Sequence, residues 1–259
     1  MCIRDRLKSR GYKQTSEPFI GDGFSRQDFV ANLHGINITI RIIIGTKSPL
    51  HEPATKEFSD SVKNYEVVIY DGHAGYGWAV DGFKDPEQYP KNRYQILMIN
   101  GCMTYKYGLQ TVLGAKFKAD LDISASNVDL ITTLDRVQGH TQNDVLIEKL
   151  ERAADLFTQL PTNPEVATAI EQDLSWISII TSINKASDAE NDGKDNGVFL
   201  VSGEVHNRYN PRGNLPPKPL LDEYEARILD LDTDDDLREV LIDSYPVSYT
   251  HLRAHETRE

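Results

Sequence analysis

The chain has 259 residues, 39% of them hydrophobic and 26% charged, and carries a formal net charge of −12. That length suffices for one sizeable α/β domain or two small ones, and the composition is that of an ordinary globular protein. The acidic balance argues against nucleic acid as a partner, because phosphates and such a surface repel each other, and no run of about eighteen apolar residues reads as a membrane span.

Both ends are set aside. The opening Met1-Cys2-Ile3-Arg4-Asp5-Arg6 and the closing residues 246–259 resemble translated sequencing-adaptor DNA of the kind that flanks metagenomic reading frames. They are left out of the fold reading, as a tag would be. The native protein is then expected to extend past both ends, and the sequence leaves its compartment open between cytoplasm and periplasm or secretion. Without Cys2, Cys102 is the one cysteine remaining, which excludes an intrachain disulfide and a multi-cysteine zinc site.

Residues 7–24 are polar and glycine-rich and are expected to lack regular structure. Phe29-Val30-Ala31-Asn32-Leu33 suggests the end of a short helix. Ile36 to Ile44 is β-branched and alternates in its first half, which predicts a strand. Ala54 to Asn64 has helical character, with Phe58 and Val62 one turn apart. Glu66 to Tyr70 and Tyr94 to Ile99 are continuous apolar runs, as in parallel strands buried on both faces. Between them, Trp78, Val80 and Phe83 are available for packing. Residues 109–123 fit neither pattern, and Asp129 to Leu134 reads as a fourth strand.

From Thr141 the period changes. Val145, Leu146, Leu150, Ala153, Leu156 and Phe157 share one helical face, and Pro161 and Pro164 end it. A single second helix is expected through Val166, Ile170, Leu174, Ile177 and Ile180. Ser187 to Gly197 reads as a turn before a strand at Val198–Val201. Its Asp188–Gly193 start resembles a calcium loop, but Phe199 stands where the bidentate glutamate belongs. Residues 202–219 read as loop. The alternation of strands and helices predicts an α/β fold, a three-layer α/β/α sandwich with a mostly parallel sheet. One domain is expected over residues 7–231, followed by an acidic segment at 232–245.

Two of the strands lead into chemistry. Val67-Val68-Ile69-Tyr70 runs into Asp71-Gly72-His73-Ala74-Gly75, and Ile96–Ile99 runs into Asn100-Gly101-Cys102. Cysteine hydrolysis needs a thiolate, an acid or base beside it and amide donors for the oxyanion. His73 supplies the acid or base, and Gly101 allows a carbonyl to approach the backbone closely. The twenty-nine residues from His73 to Cys102 suit one crossover between adjacent parallel strands.

This pairing resembles the clan CD cysteine peptidases, which include caspases, legumains, gingipains and clostripain. They share a hydrophobic strand followed by His-Gly and another followed by Ala-Cys or Gly-Cys. The segments are also similar to bacterial proteins of unassigned function that carry YDGHAG and NGC. The resemblance covers roughly residues 36–105. It implies a caspase-like fold and a peptide or protein substrate, with no cofactor. It implies Cys102 as nucleophile and His73 as general acid/base, with Gly72, Ala74 and Gly101 shaping the turns and oxyanion site. Ala74 departs from the pattern, since the peptidases carry glycine there, and a positive φ at alanine costs about 1 kcal/mol or more.

Two readings compete with hydrolysis by Cys102. One is an inactive caspase-like interaction module with Cys102 buried as a small hydrophobe. The other is a metal-dependent hydrolase in which Asp71 and His73 ligate, completed by His140, Glu204 and His206. Arg41, Arg93 and Arg136 are candidates for a basic substrate pocket, against the simpler reading of solvated charges, and Tyr105 and Tyr107 for a cleft wall. Oligomeric state is not legible.

Overall fold

A helix and four strands precede an alternating run of strands and helices. The computed structural model describes residues 3–22, 24–33, 35–45, 52–72, 82–120, 127–134, 137, 141–159, 165–190 and 198–203. The strands form two four-stranded sheets.

The first sheet is wholly antiparallel. It follows α1 (Ile3–Ser9) and contains β1 (Lys13–Gln14), β2 (Phe19–Gly21), β3 (Phe24–Leu33) and β4 (Ile36–Gly45). β1 and β2 share one edge of β3, and β4 occupies the other. The β3–β4 register runs unbroken from Phe24↔Gly45 to Leu33↔Ile36. Gly35, at φ 88, takes the left-handed conformation that this tight reversal needs.

Three expectations fail in this sheet. Within residues 7–24, the end of α1, β1, β2 and the start of β3 are regular structure, with Leu7 and Tyr12 buried against Phe29. α1 begins at Ile3, and its Arg6 is ion-paired with Asp144. Phe29–Leu33 is strand rather than helix end, because β4 pairs with it along its whole length, with isoleucines opposite Phe29, Ala31 and Leu33. β4 also does not join the parallel strands that follow. Arg41 instead grips Asp28 across the hairpin through two 2.8 Å hydrogen bonds. Arg26 reaches Glu57 of α2 (Glu52–Asn64) at 2.7 Å.

The second sheet has the order β5 (Val67–Asp71), β6 (Gln95–Asn100), β7 (Val128–Thr133), β8 (Phe199–Gly203). β5–β6 and β6–β7 are parallel, and β7–β8 is antiparallel. The protein is thus α/β, and the mostly parallel character holds within this sheet alone.

Helices cover both faces of this sheet. On one, Leu97, Ile99 and Leu130 pack with Val62 of α2 and with Val112 and Leu113 of α3 (Thr104–Asp120). On the other, Met98, Ile131 and Val201 meet Leu146 of α4 (Thr141–Gln159) and Ile180 and Ile183 of α6 (Trp176–Glu190). Each such side chain contributes roughly 1.5–3 kcal/mol on burial.

Three boundaries differ from expectation for local reasons. α3 spans the ambiguous stretch, whose helical pattern is masked in the sequence by Gly108 and Gly114 and by a buried lysine, Lys116, that interrupts the apolar face. The second helical region is two helices, α5 (Glu165–Asp173) and α6, because the Ser175 hydroxyl accepts the Ser178 amide at 3.1 Å and caps a new start. Ser187–Glu190, expected as turn, are the last turn of α6, and Ser187 is fully buried. Ser202 and Gly203, the first residues of the expected 202–219 loop, belong to a strand, Phe199–Gly203, that pairs with Val128–Thr133; the rest of that stretch, the acidic segment at 232–245 and residues 246–259 lie outside the described residues. Among the described residues, no helix is long and apolar enough to cross a membrane.

Candidate active site

The carboxyl ends of β5, β6 and β7 lie side by side, at the edge where open α/β sheets gather their chemistry. Asp71 pairs with Asn100 in the parallel register, and the Gly72 amide donates to the Asn100 carbonyl at 3.0 Å. The two strands therefore end level with each other. His73, Ala74 and Gly75 follow Gly72 in the chain and lie outside the described residues, as do Trp78, Val80, Arg136, His140, Glu204 and His206.

β6 ends at Asn100, a three-residue turn of Gly101, Cys102 and Met103 follows, and α3 begins at Thr104. Cys102 sits in this turn, half-buried. Met103 has φ 56, a left-handed conformation that costs a non-glycine residue roughly 1–2 kcal/mol.

Two threonines hold the turn against β7. The Thr133 hydroxyl donates to the Gly101 carbonyl and accepts the Thr104 amide at 3.1 Å. The Thr104 hydroxyl donates to the Ile99 carbonyl at 2.7 Å and accepts the Thr133 amide at 3.0 Å. Both residues are fully buried. The backbone on either side of Cys102 is thereby anchored to the neighbouring strand, and this offsets the cost at Met103.

A second polar group bridges β5 and β6 to α4. Asn143 donates from Nδ2 to the Asp71 carboxylate at 2.5 Å and accepts from Asn100 Nδ2 at 3.2 Å. Beneath them, Tyr70 packs edge-on against Phe58 and Phe83, and its hydroxyl is pushed up to about 12, first by burial and then by Asp71.

The structure thus brings together Gly72, Asp71, Asn100, Gly101 and Cys102. It adds Thr104, Thr133 and Asn143, which the sequence did not flag. Asn143 stands in a Thr-Gln-Asn-Asp run at the start of α4 that reads as ordinary capping, and Thr133 reads as one more β-branched strand residue.

Among the described residues, the two arginines suggested for a basic pocket are engaged away from Cys102. Arg41 is spent on Asp28 in the other sheet, and Arg93 pairs with Glu66 before β6, at the opposite edge. Tyr105 packs against the apolar core under α3 instead of facing a cleft. Among the described residues, no group of three His, Cys, Asp or Glu side chains converges as a metal ion would require.

No family model matches the chain, and neither a curated protein nor a solved structure is significantly similar to it. The fold and site define a class: an α/β protein with a half-buried cysteine on a strand-to-helix turn, at the carboxyl edge of a mixed sheet.

Proposed function

We propose that the protein is a cysteine-dependent peptide hydrolase of caspase-like fold, with Cys102 as nucleophile and His73 as general acid/base. The observation that carries this reading is the parallel register of β5 and β6. It ends both strands at one level, with Cys102 two residues past Asn100 and His73 two residues past the paired Asp71. A rigid turn held by Thr104 and Thr133 supports it, since nucleophiles work from pre-positioned backbone.

In the proposed reaction the Cys102 thiolate adds to the substrate carbonyl carbon. The C–N bond then breaks as His73 protonates the departing amine. Water adds to the resulting thioester, giving up its proton to His73, and the carboxylic acid leaves as the thiolate returns. The Cys102 amide and an amide of the Gly72–Ala74 turn are the proposed donors to the oxyanion.

Iodoacetamide labelling at neutral pH, followed by mass spectrometry and a peptide-library cleavage assay, tests the reading. The expected result is selective alkylation of Cys102 together with cleavage that C102S and H73A abolish. An unreactive Cys102 in the folded protein removes the nucleophile. A reactive Cys102 without peptide cleavage points to the interaction module. Cleavage that survives C102S and tracks a bound metal in elemental analysis points to hydrolysis through Asp71 and His73.

A further inference from the structure

The two edges of the first sheet are unlike. On one side of β3, the edge is broken into β1 and β2, of two and three residues. On the other, β4 runs for ten residues, and among the described residues it pairs with β3 alone. Every second residue of an antiparallel edge strand turns its amide and carbonyl away from its partner. Long, regular edges of this kind are ordinarily blunted by proline, lysine or a bulge. β4 contains no proline and no lysine, and its register with β3 is continuous.

Its side chains follow a self-complementary pattern. Positions 36, 38, 40, 42 and 44 are all isoleucine and share one face. Ile38, Ile40 and Ile42 are only partly buried against Leu7, Tyr12 and Phe29, and Ile36 and Ile44 are each 40% exposed. An antiparallel match of this strand with itself, centred on Ile40, sets Ile36 opposite Ile44, Ile38 opposite Ile42 and Ile40 opposite its own copy. On the other face it sets Thr39 opposite Arg41 and Asn37 opposite Ile43. No like charges are directly opposed, and each Arg41 is already neutralised by its own Asp28. Centring one residue later would oppose Arg41 with Arg41. The Ile40 centre also uses the whole of Ile36–Ile44.

We infer that β4 is a homodimer interface, on which a second copy of this chain adds antiparallel across a twofold axis at Ile40. The two antiparallel sheets then become one, and the isoleucine row is continuous across the axis. Such an isologous contact closes on itself and leaves no open β4 edge to propagate.

The register supplies its own test. Light scattering behind size exclusion is expected to show a dimer for the unaltered chain. I36K/I44K places lysine opposite lysine twice and should weaken the dimer by at least about tenfold. I36K/I44E places lysine opposite glutamate in the same register and should restore it. Both sites are exposed, and circular dichroism checks the fold of each variant. Hydrogen exchange on the unaltered chain gives an independent measure, in which β4 amides gain protection as concentration rises. A monomeric unaltered chain, equal dimer affinity in the two variants, or β4 exchange that ignores concentration each overturns the inference.

Discussion

Replacing Thr133 by valine keeps the shape and the β-branch of the side chain and removes one hydroxyl. That hydroxyl serves the Gly101 carbonyl and the Thr104 amide, both in fully buried surroundings. No water reaches such a position, so each group is left without a partner at about 1–3 kcal/mol. The sum is about 2–6 kcal/mol, a large share of the roughly 5–15 kcal/mol that holds a domain folded. The melting temperature of T133V should fall on the order of 10 °C. T133S keeps the hydroxyl and loses a methyl group, for about 1 kcal/mol. Urea unfolding of the two variants, followed by circular dichroism, separates hydroxyl from methyl. Equal losses in T133V and T133S would refute the reasoning, since the clamp on the Cys102 turn would then be packing and not hydrogen bonding.

Lys116 offers a second stability test, because its ammonium is almost fully buried, donates to Pro90 and Arg93 carbonyls at 2.8 and 3.0 Å, and pairs with Asp120 at 3.1 Å. K116M removes the cation beside the buried Asp120 carboxylate, which keeps the Asn92 amide at 2.8 Å, and should cost about 3–5 kcal/mol, with K116M/D120N recovering part of it in a double-mutant cycle by denaturant melts. A third concerns acid. The two hydrogen bonds from Arg41 hold the Asp28 carboxyl below its ordinary value of 3.8. A depressed carboxyl contributes stability that is complete above the ordinary value and is lost as pH falls through the lower, folded one. Unfolding midpoints measured from about pH 5 down to pH 2 should therefore drop less steeply in D28N than in the unaltered chain, and parallel slopes would remove Asp28 from the acid response.

β4 to β8, α2 and α4 were legible, because burial leaves a periodic mark there. Ile36–Gly45, Val67–Asp71, Gln95–Asn100 and Val128–Thr133 are β-branched or continuously apolar, and Thr141–Gln159 repeats its apolar residues at helical spacing. The order of these elements was enough for the α/β class, and the Gly72 and Gly101 turns marked where side chains leave the sheet. What misled was local character that packing overrides. Phe29–Leu33 reads as helix until the isoleucines of β4 lie beside it, and a lysine inside α3 hides a helix whose charge is met by carbonyls distant in sequence.

Partnership between elements was decided by the tertiary structure alone. By itself the sequence determined that Cys102 follows a buried strand and a glycine, and that another strand ends in Asp71-Gly72-His73. It did not contain the assignment of β4 to a separate antiparallel sheet. Nor did it contain the level ending of β5 and β6, the hydroxyls of Thr104 and Thr133 around the Cys102 turn, or the bridge from Asn143 to Asp71. The reason is physical. Periodicity records which face of an element meets an apolar medium, and it is written within a few residues. A hydrogen bond between Thr133 and the turn before Thr104 joins groups about thirty residues apart, and only the closed fold brings them within reach.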